Sequence, residues 1–557
     1  MGISSSWACC GFLLYLLALF LTPFRTIGTA LPRGFLSPNS STSWNTSFSA
    51  PNNTVEFDDG SIARSILVSE NVKVPEINGL GYGCGCGFIC NPPCNSFLFA
   101  TFVLYHYKDD STLDTSWGPH VVWSANPNNP VSANATLQFT SKSGLVLRNA
   151  GGTEVWSANI TSKYVASLKL THTCNLMFWD KNNKTIWRSH EHPTDTLFRG
   201  QKLLVGKSLT SKEGLFSLNI KSEGIFAYIN SNPPQLYYSL NTTLYYDINI
   251  AGIEIRKGSI VLLNSNSKGA SPELGFPGRL ASGARYARFE NDGHLRAYAF
   301  SPDSGDDILL ATQLYSCEFP TACGNYGVCE NKHDSCNQCT CPQEKNKNGR
   351  SYFKLINERE PDQGCIPLTN LSYEDEARKR QNLLEVENTT YFRFRVQDPD
   401  HIKPNHRNIT LEKCKEECRK QCRCKAAIYH YTNRSKAGDC YLESQIYSMM
   451  ITIPKELQYS RDRFKICIKV QDVEEQNKAQ SVKIIVGSSM AFGLFLFIGS
   501  FVFLFWKKRS ADEGEEYYLD HLPGMPTRYS YDDLQDMTEN FNKKLGAGGF
   551  GTVFEEL

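Results

Sequence analysis

A single apolar stretch near the C-terminus divides the chain into two chemically different parts. Residues 484–506 contain no charged side chain and are followed at once by Lys507, Lys508 and Arg509. A helix of that length can cross the hydrocarbon layer of a bilayer, and basic residues beside a span stay in the cytoplasm. The sequence therefore predicts a transmembrane helix at 484–506, with the N-terminal part outside, as in a type I plasma-membrane protein.

The cysteines and the N-glycosylation sequons follow the same division. Of the 20 cysteines, those after Cys10 all lie between Cys84 and Cys467, and none follows the apolar stretch. Such a distribution is expected if the middle of the chain is oxidised and the C-terminal part lies in reducing cytosol. The Asn-X-Ser/Thr sequons also precede the stretch. They lie at Asn39, Asn45, Asn52, Asn134, Asn159, Asn183, Asn241, Asn370, Asn388, Asn408 and Asn433.

The N-terminal residues 1–30 are typical of a cleaved signal peptide. Their apolar run, 11–21, is too short for a bilayer that needs about 20 residues, and the small residues at 28–30 suit a signal peptidase. Residues 31–60 are rich in Ser, Asn, Thr and Pro, which predicts a flexible, glycosylated leader. With 58 basic and 57 acidic residues the chain has no overall field for nucleic acid, and we expect no such partner.

A repeated tryptophan motif marks the region that follows. The sequence Val-Trp-Ser-Ala-Asn occurs at 122–126 and again at 155–159, and a looser copy lies at 186–189. The surrounding runs are short, β-type and broken by Gly, Asn and Pro, which predicts an all-β region. Three similarly spaced repeats predict three sheets about a shared axis, with their tryptophans in the core rather than in contact with a ligand.

Residues 155–159 and the His-Pro-Thr-Asp-Thr-Leu motif at 192–197 resemble the bulb-type (monocot mannose-binding) lectin domain of plant receptors. The resemblance implies a β-prism of three four-stranded sheets over 61–205. In that family each sugar pocket takes Gln, Asp, Asn and Tyr from alternate positions of one strand, so that all four share a face. Within the 192–197 motif, we expect Asp195 to accept hydrogen bonds from local backbone amides.

The chain departs from that pocket pattern. Its two closest segments offer Thr171, Thr173, Asn175 and Trp179 in one case and Thr140, Lys142, Gly144 and Arg148 in the other. Only Asn175 matches, which makes it the candidate carbohydrate-binding residue. Without the aspartate acceptor, the hydrogen-bond set for a mannose hydroxyl is incomplete.

Cysteine-rich segments flank a further β-type region. The Cys-Gly-Cys-Gly cluster at 84–94 favours disulfides over a thiolate metal site, because it follows a signal peptide. Residues 206–312 are predicted to be β-rich, with a second, degenerate lectin-like prism as one interpretation. Residues 313–366 resemble an EGF-like module stapled by disulfides. The lectin region holds five cysteines and this module seven, so a bridge between them would resolve both odd numbers, but the pairing stays open.

The last cysteine cluster predicts a disulfide-stapled helix. Cys414, Cys418 and Cys422 recur every four residues, which on a helix forms one stripe, and Thr410 is a plausible N-cap, with Glu412 in the first turn. The pattern resembles a PAN/apple domain over 370–470, a family that mediates protein or carbohydrate contacts.

The segment after the apolar stretch ends in a glycine-rich motif. Residues 507–540 are predicted to be a juxtamembrane segment, with a capping box at 530–533 that begins a short amphipathic helix. Residues 541–557 resemble the start of a protein kinase domain, whose glycine-rich loop covers the ATP phosphates. The resemblance assigns nucleotide contact to Leu545, Gly546, Gly548, Gly551 and Val553. A Rossmann loop is the alternative, but it needs a helix after the glycines, whereas a strand is expected here.

The order of these modules resembles plant S-domain (G-type lectin) receptor-like serine/threonine kinases, cut within the kinase N-lobe. That resemblance implies a surface receptor that binds an extracellular glycan or protein, spans the membrane once and can assemble as a homo- or hetero-oligomer with other receptors. A complete kinase domain would use ATP with Mg²⁺. The strand lysine and the catalytic aspartates are not among the 557 residues, so we expect no catalytic residue, no metal site and no phosphotransfer from them. Two interpretations stay open: the front of a full receptor kinase, or a truncated or decoy receptor that acts only by binding.

Overall fold

The structure is a computed structural model that falls into two compact units, Met1–Asp472 and Val473–Leu557. The residues that it describes are 35–36, 42–46, 54–73, 80–107, 112–116, 118–160, 164–266, 268–276, 285–299, 306–309, 316–331, 337–345, 349–395, 402–432, 437–451, 462–472, 489–490, 492–507 and 529–556. The predicted signal peptide at 1–30 lies outside them, as do the sequons at Asn39, Asn52 and Asn433.

The first unit is mainly β, as predicted, and begins with a three-sheet prism that we call prism 1. Its sheet I is a seven-stranded sheet: Thr54–Glu56, Ile62–Val68, Val72–Lys73, Leu80–Cys90, Leu98–Tyr107, Thr112–Leu113 and His120–Ser124. Its sheet II has the order Glu154–Ser157, Gly144–Arg148, Thr136–Thr140 and Thr42–Asn45. Its sheet III has the order Phe35–Leu36, Ser167–Leu170, Leu176–Trp179 and Thr185–Arg188. The expectation of four strands per sheet therefore holds for two sheets and is wrong for sheet I.

The three repeated tryptophans meet at the centre of prism 1. Trp123, Trp156 and Trp187 come from sheets I, II and III, and their ring centroids lie 5.7, 5.7 and 6.1 Å apart in near-perpendicular pairs. Edge-to-face packing of this kind suits the quadrupoles of aromatic rings. Trp123 and Trp187 are 4% and 7% exposed. The prediction of three sheets joined by a tryptophan core is confirmed.

The Cys-Gly-Cys-Gly pattern of sheet I follows from close packing on one face of a strand. Cys84 and Cys86 point into the core, while a Cβ at Gly85 would overlap the Phe102 ring and one at Gly87 would overlap the backbone of Arg64. Glycine in a strand interior permits this approach of a neighbouring chain. The alternation thus places sulfur on one face and leaves room on the other.

The prediction of a flexible leader over 31–60 is wrong for the pieces that the structure describes. Phe35–Leu36, Thr42–Asn45 and Thr54–Glu56 each add an edge strand to a different sheet of prism 1. Trp44 packs against the core of the prism. The polar composition predicted disorder. A strand, however, needs apolar side chains on only one of its two faces, and an added edge strand covers the open edge of each sheet.

Three more four-stranded sheets, which we call prism 2, follow the first prism, and their assignment as a second lectin-like domain stays an interpretation. Its sheets have the orders Thr196–Phe198, Tyr286–Phe289, Leu295–Tyr298, Asp306–Asp307; Lys202–Leu204, Ile250–Arg256, Ser259–Asn264, Glu273–Gly275; and Ser208–Thr210, Phe216–Lys221, Gly224–Ile229, Gln235–Asn241. A short helix, Thr242–Tyr246, begins after the last of these strands, with Asn241 as its N-cap.

Prism 2 begins earlier than the predicted boundary at 206. Residues 196–210 supply one edge strand to each of its three sheets, as the 35–56 segment does in prism 1. The predicted lectin domain of 61–205 is therefore wrong at both ends. The reason is topological: three sheets about one axis each need an edge strand, and a single preceding segment provides all three.

The next module shares a sheet with the PAN-like region. The sheet has the strand order Asn337–Thr340, Val328–Asn331, Met449–Ile451 and Thr389–Tyr391. Beside it lie a hairpin and four short helical turns: Phe353–Leu355 with Cys365–Pro367, and Ser316–Glu318, Pro361–Gln363, Asp375–Arg378 and Phe392–Arg395. Three disulfides staple the module: Cys317–Cys329, Cys323–Cys339 and Cys341–Cys365.

Four of the five cysteines in the predicted lectin region are paired with each other. Cys84 bridges Cys174, Cys90 bridges Cys94, and Cys86 is a buried free thiol. Among the described cysteines, no bridge joins the predicted lectin region to the cysteine-rich module at 313–366, and Cys336 lies outside the described residues.

The PAN-like region is a five-stranded sheet covered by a helix, Leu411–Lys420. The strand order is Gln381–Val386, Asp462–Gln471, Ala426–Thr432, Gly438–Glu443 and His406–Ile409. As predicted, the Thr410 side chain caps the helix, and Cys414 staples it to the sheet through Cys440. Cys418 bridges Cys424.

The prediction that Cys422 continues the stripe of cysteines on the helix is wrong. The helix ends at Lys420, so Cys422 lies beyond it and is an exposed free thiol. Cys467, on the strand Asp462–Gln471, is a buried free thiol.

The second unit contains helical residues at 492–507, a helix at Tyr531–Met537 and a hairpin of Lys544–Gly548 with Gly551–Phe554. The capping box is confirmed: Ser530 and Asp533 exchange hydrogen bonds at the helix start. Within the described part of the chain, no helix is both long and apolar enough to cross a membrane. Residues 484–488 and 491 of the predicted span lie outside that part, so the span at 484–506 stays a prediction.

Candidate functional site

The candidate sugar residue Asn175 lies in a tight turn of sheet III. The amide of Thr171 donates to the carbonyl of Asn175 over 3.1 Å, and Cys174 between them has a left-handed φ of 56°. The disulfide from Cys174 to Cys84 ties this turn to sheet I. The expectation that Thr171, Thr173 and Asn175 lie at alternate positions of one strand is therefore wrong.

The side-chain oxygen of Asn175 serves contacts within the fold. It accepts hydrogen bonds from Ser189 Oγ and from the His190 amide, both over 3.3 Å. His190 in turn places its Nε2 3.0 Å from the carbonyl oxygen of Thr173. Because burial disfavours the charged ring, the pKa of His190 falls to about 4. Asn175 thus joins the turn to the Ser189–Glu191 segment, and its role in carbohydrate binding stays a prediction.

The equivalent positions on sheet II do not form an acceptor set either. Thr140 Oγ1 accepts from the amide of Ser143 over 3.1 Å. Arg148 donates to Gln138 Oε1 over 3.2 Å and lies 4.0 Å from a carboxylate oxygen of Glu154. Gly144 has no side chain to offer. These groups complete local turns and a cross-strand pair rather than a mannose pocket.

Comparison with known proteins identifies two modules. The family described as D-mannose binding lectin matches residues 120–219, and the family described as PAN-like domain matches residues 388–446. The lectin match begins on the last strand of sheet I and ends inside prism 2.

Several relatives come from Arabidopsis thaliana. One G-type lectin S-receptor-like serine/threonine-protein kinase is 24% identical over 478 residues, covering 78% of this chain and 51% of the relative. A second, named SD2-5, is 26% identical over 464 residues, covering 78% and 52%. The chain is homologous to the G-type lectin S-receptor-like serine/threonine kinases. It spans about half the length of these curated relatives.

A further relative is named as a glycoprotein. EP1-like glycoprotein 2 of Arabidopsis thaliana is 25% identical over 365 residues, covering 58% of this chain and 75% of the relative.

The glycine-rich residues assigned to nucleotide contact lie together in the second unit. Leu545, Gly546 and Gly548 are on the first strand of the hairpin, and Gly551 and Val553 are on the second. All are exposed, and a Cβ built on any of these three glycines would meet no heavy atom within 4 Å. A backbone this open can approach a phosphate. Nucleotide contact stays a prediction.

Most described sequon asparagines are accessible on the first unit. Asn134, Asn159, Asn183, Asn370, Asn388 and Asn408 are exposed, whereas Asn45 and Asn241 are half-buried. Five of the exposed residues, all but Asn370, have a left-handed φ, which asparagine tolerates in turns. Their exposure is the property that an attached glycan requires, and glycosylation at all these sites stays a prediction.

The sequence did not predict the side chains that join the two prisms. Arg288 of prism 2 donates to the carbonyl oxygen of Val121 in prism 1 and, over 3.1 Å, to Thr196 Oγ1. Gln201 donates to the carbonyl of His190 over 3.0 Å. Arg288 and Val121 are 167 residues apart, and no sequence pattern would have paired them.

Proposed function

We propose that the chain is the receptor part of an S-domain receptor-like serine/threonine kinase, held at the plasma membrane by 484–506. Its first unit would face the exterior and bind a carbohydrate or protein ligand. The observation that supports this most strongly is the tandem of two three-sheet prisms followed by disulfide-stapled modules, in a chain of which 78% matches each of two such receptor-like kinases.

The chemistry of the first unit favours an oxidising exterior. Seven disulfides among its described residues hold prism 1, the EGF-like module and the PAN-like region. Disulfides persist in secreted and surface proteins and are rare in cytosol. The described sequons lie on the same unit, mostly exposed. Both features agree with a single span that leaves this unit outside.

Signalling in this proposal belongs to a longer protein. The exposed hairpin at 544–554 would be the glycine-rich loop of its kinase domain, and phosphotransfer would need ATP, Mg²⁺ and catalytic residues beyond these 557. ATP is not expected to bind well to the hairpin by itself, because one hairpin encloses no nucleotide pocket.

Topology is the direct test. The full chain, made in a plant secretory system, is treated with protease on sealed, right-side-out vesicles, and the surviving peptides are mapped by mass spectrometry after glycosidase treatment. We expect the region around Asn134 and Asn408 to be glycosylated and cut, and 529–556 to be protected. Unmodified Asn134 and Asn408 in a protected region would refute the receptor proposal.

A further inference from the structure

A cleft of about 680 Å³ lies between the two prisms. Prism 1 contributes the region of His120 and Pro127, and prism 2 contributes the strand Ser208–Thr210 and the turn after Arg288. Its volume falls within the range of small-ligand pockets, which form preferentially where two domains meet. It is separate from the Asn175 turn, which does not line it.

The wall of this inter-prism cleft is fixed before any ligand enters. Arg288 reaches across to the Val121 carbonyl, and its guanidinium lies 3.8 Å from a carboxylate oxygen of Asp195. The other Asp195 oxygen accepts from Thr196 Oγ1 over 2.9 Å. The side chains of Arg288 and Asp195 are only 19% and 16% exposed. Such preorganisation lowers the entropy lost on binding.

The charges that face the cleft disfavour an anionic ligand. It is lined by two basic and three acidic side chains, namely Lys212, Arg288, Asp195, Glu213 and Glu290. Arg288 already donates to Val121 and Thr196, and the Asp195 carboxylate offsets part of its charge. The carboxylates accept hydrogen bonds from hydroxyl groups and repel other carboxylates.

The remaining lining suits a molecule with many hydroxyls and a partly apolar face. Thr210, Asn128 and Asn291 offer hydroxyl and amide groups, while Pro127 and Pro193 offer apolar ring surface. Asn291 is held in place, since its side chain exchanges hydrogen bonds of 3.0 and 3.1 Å with Glu213.

An unsatisfied polar atom lies in the same wall. The Nε2 atom of His120 is buried and has no hydrogen-bond partner among the described residues. Burial, with the nearby Arg288 charge, lowers the pKa of this ring to about 4, so it is neutral near pH 7. A neutral imidazole can donate to or accept from a hydroxyl, and leaving such a group unpaired costs about 1–3 kcal/mol.

We propose that the inter-prism cleft, rather than the turn at Asn175, binds a neutral oligosaccharide. This inference rests on the proposed function, since it names where an extracellular glycan would bind and which class it belongs to. Hydroxyls of the sugar would meet the carboxylates and amides, and the C–H faces of its rings would lie on the prolines.

The test compares a cleft-filling variant with matched controls in the full, detergent-solubilised chain. Thr210→Trp fills the cleft from the last residue of a three-residue edge strand. Leu204→Trp places the same bulk at the last residue of a neighbouring edge strand outside the cleft, and Asn175→Ala removes the family-type candidate. Calorimetry with mannotriose, chitotriose and cellotriose as neutral probes and with trigalacturonic acid as the anionic probe measures binding.

We expect at least one neutral trisaccharide to bind, and T210W to weaken it by at least about tenfold, the effect of losing roughly 1.4 kcal/mol. L204W and N175A should bind like the unaltered chain, and trigalacturonic acid should not bind. A photoreactive form of the bound trisaccharide should label 119–130 or 208–213, which tests the site even if T210W fails to fold.

Three results would overturn the inference: no neutral trisaccharide binds, T210W binds normally, or N175A alone abolishes binding. The last two would leave the receptor proposal intact, because a carbohydrate would still be bound. If no saccharide binds but the topology is as expected, only the cleft inference is refuted, because the receptor could still bind a protein ligand. The receptor proposal fails separately, on the topology measurement.

Discussion

The indole nitrogen of Trp123 donates a hydrogen bond of 2.9 Å to the backbone carbonyl oxygen of His192. Trp123 belongs to sheet I, whereas His192 follows sheet III and stacks its ring on Trp187 with centroids 5.4 Å apart. The contact holds the start of the 192–197 motif against the centre of prism 1, and the end of that motif begins the first strand of prism 2. This hydrogen bond therefore connects the tryptophan core of prism 1 to the segment that leads into prism 2.

The tryptophan core should dominate the stability of prism 1. We expect Trp187→Ala to lower the free energy of unfolding by about 3–5 kcal/mol, because it leaves a large cavity among packed rings. Trp179→Ala is the matched control, since that half-buried ring lies outside the central cluster, and its loss should be clearly smaller. Denaturant unfolding followed by tryptophan fluorescence measures both. Equal losses would contradict the role of the central cluster.

The two disulfides of the lectin region should differ in value. Removing Cys84–Cys174, which are 90 residues apart, should cost about 4–5 kcal/mol, and removing Cys90–Cys94, which are four apart, about 2 kcal/mol. The longer loop loses more conformational freedom when it is closed in the unfolded chain. Paired Cys→Ala variants compared by denaturant unfolding give the difference, and a reversed order would argue against loop entropy as the main term.

Stability should fall in mild acid because two histidines are buried in the neutral form. Burial lowers the pKa of His120 and of His190 to about 4, below the ordinary 6.5. Between those values the unfolded chain binds protons that the folded chain does not, so the free energy of unfolding decreases from about pH 6.5 down to pH 4. The total is on the order of a few kcal/mol.

Denaturant midpoints at pH 7.0 and 4.5 measure that loss. His120→Gln and His190→Gln should each reduce the difference between the denaturant midpoints at the two pH values. A pH dependence unaffected by either variant would contradict the assignment.

Lys469 should stabilise the PAN-like region through the end of its helix. Its ammonium donates to the carbonyls of Cys418 and Gln421 over 2.7 and 2.9 Å, and burial lowers its pKa to about 8. Lys469→Met keeps the stem but removes both hydrogen bonds from a charged donor, and should cost about 1–3 kcal/mol, although each carbonyl still accepts one backbone amide. Lys413→Met, at an exposed position of the same helix, should change the melting temperature little. Similar melting temperatures for the two variants would refute this.

The sequence predicted those elements whose signal is local or periodic. The repeats at Trp123, Trp156 and Trp187 predicted three sheets, and Thr410 and Ser530 predicted helix starts, because each signal recurs at a fixed spacing or lies within one turn. The second prism was foreseen only as one interpretation. The edge strands at 35–56 were missed, since a short polar segment becomes a strand only when a partner edge is available.

Chemical identity was fixed by residues alone: which segments are apolar, which carry sulfur or sequons, and which lack the mannose-type aspartate. Packing across long separations was decided only in three dimensions. Arg288 meets Val121 and Asn175 meets Ser189 because sheets about an axis bring distant strands together, and no linear pattern records such contacts. The cleft between the prisms exists for the same reason, since its walls come from segments as far apart as 89–91 and 288–291.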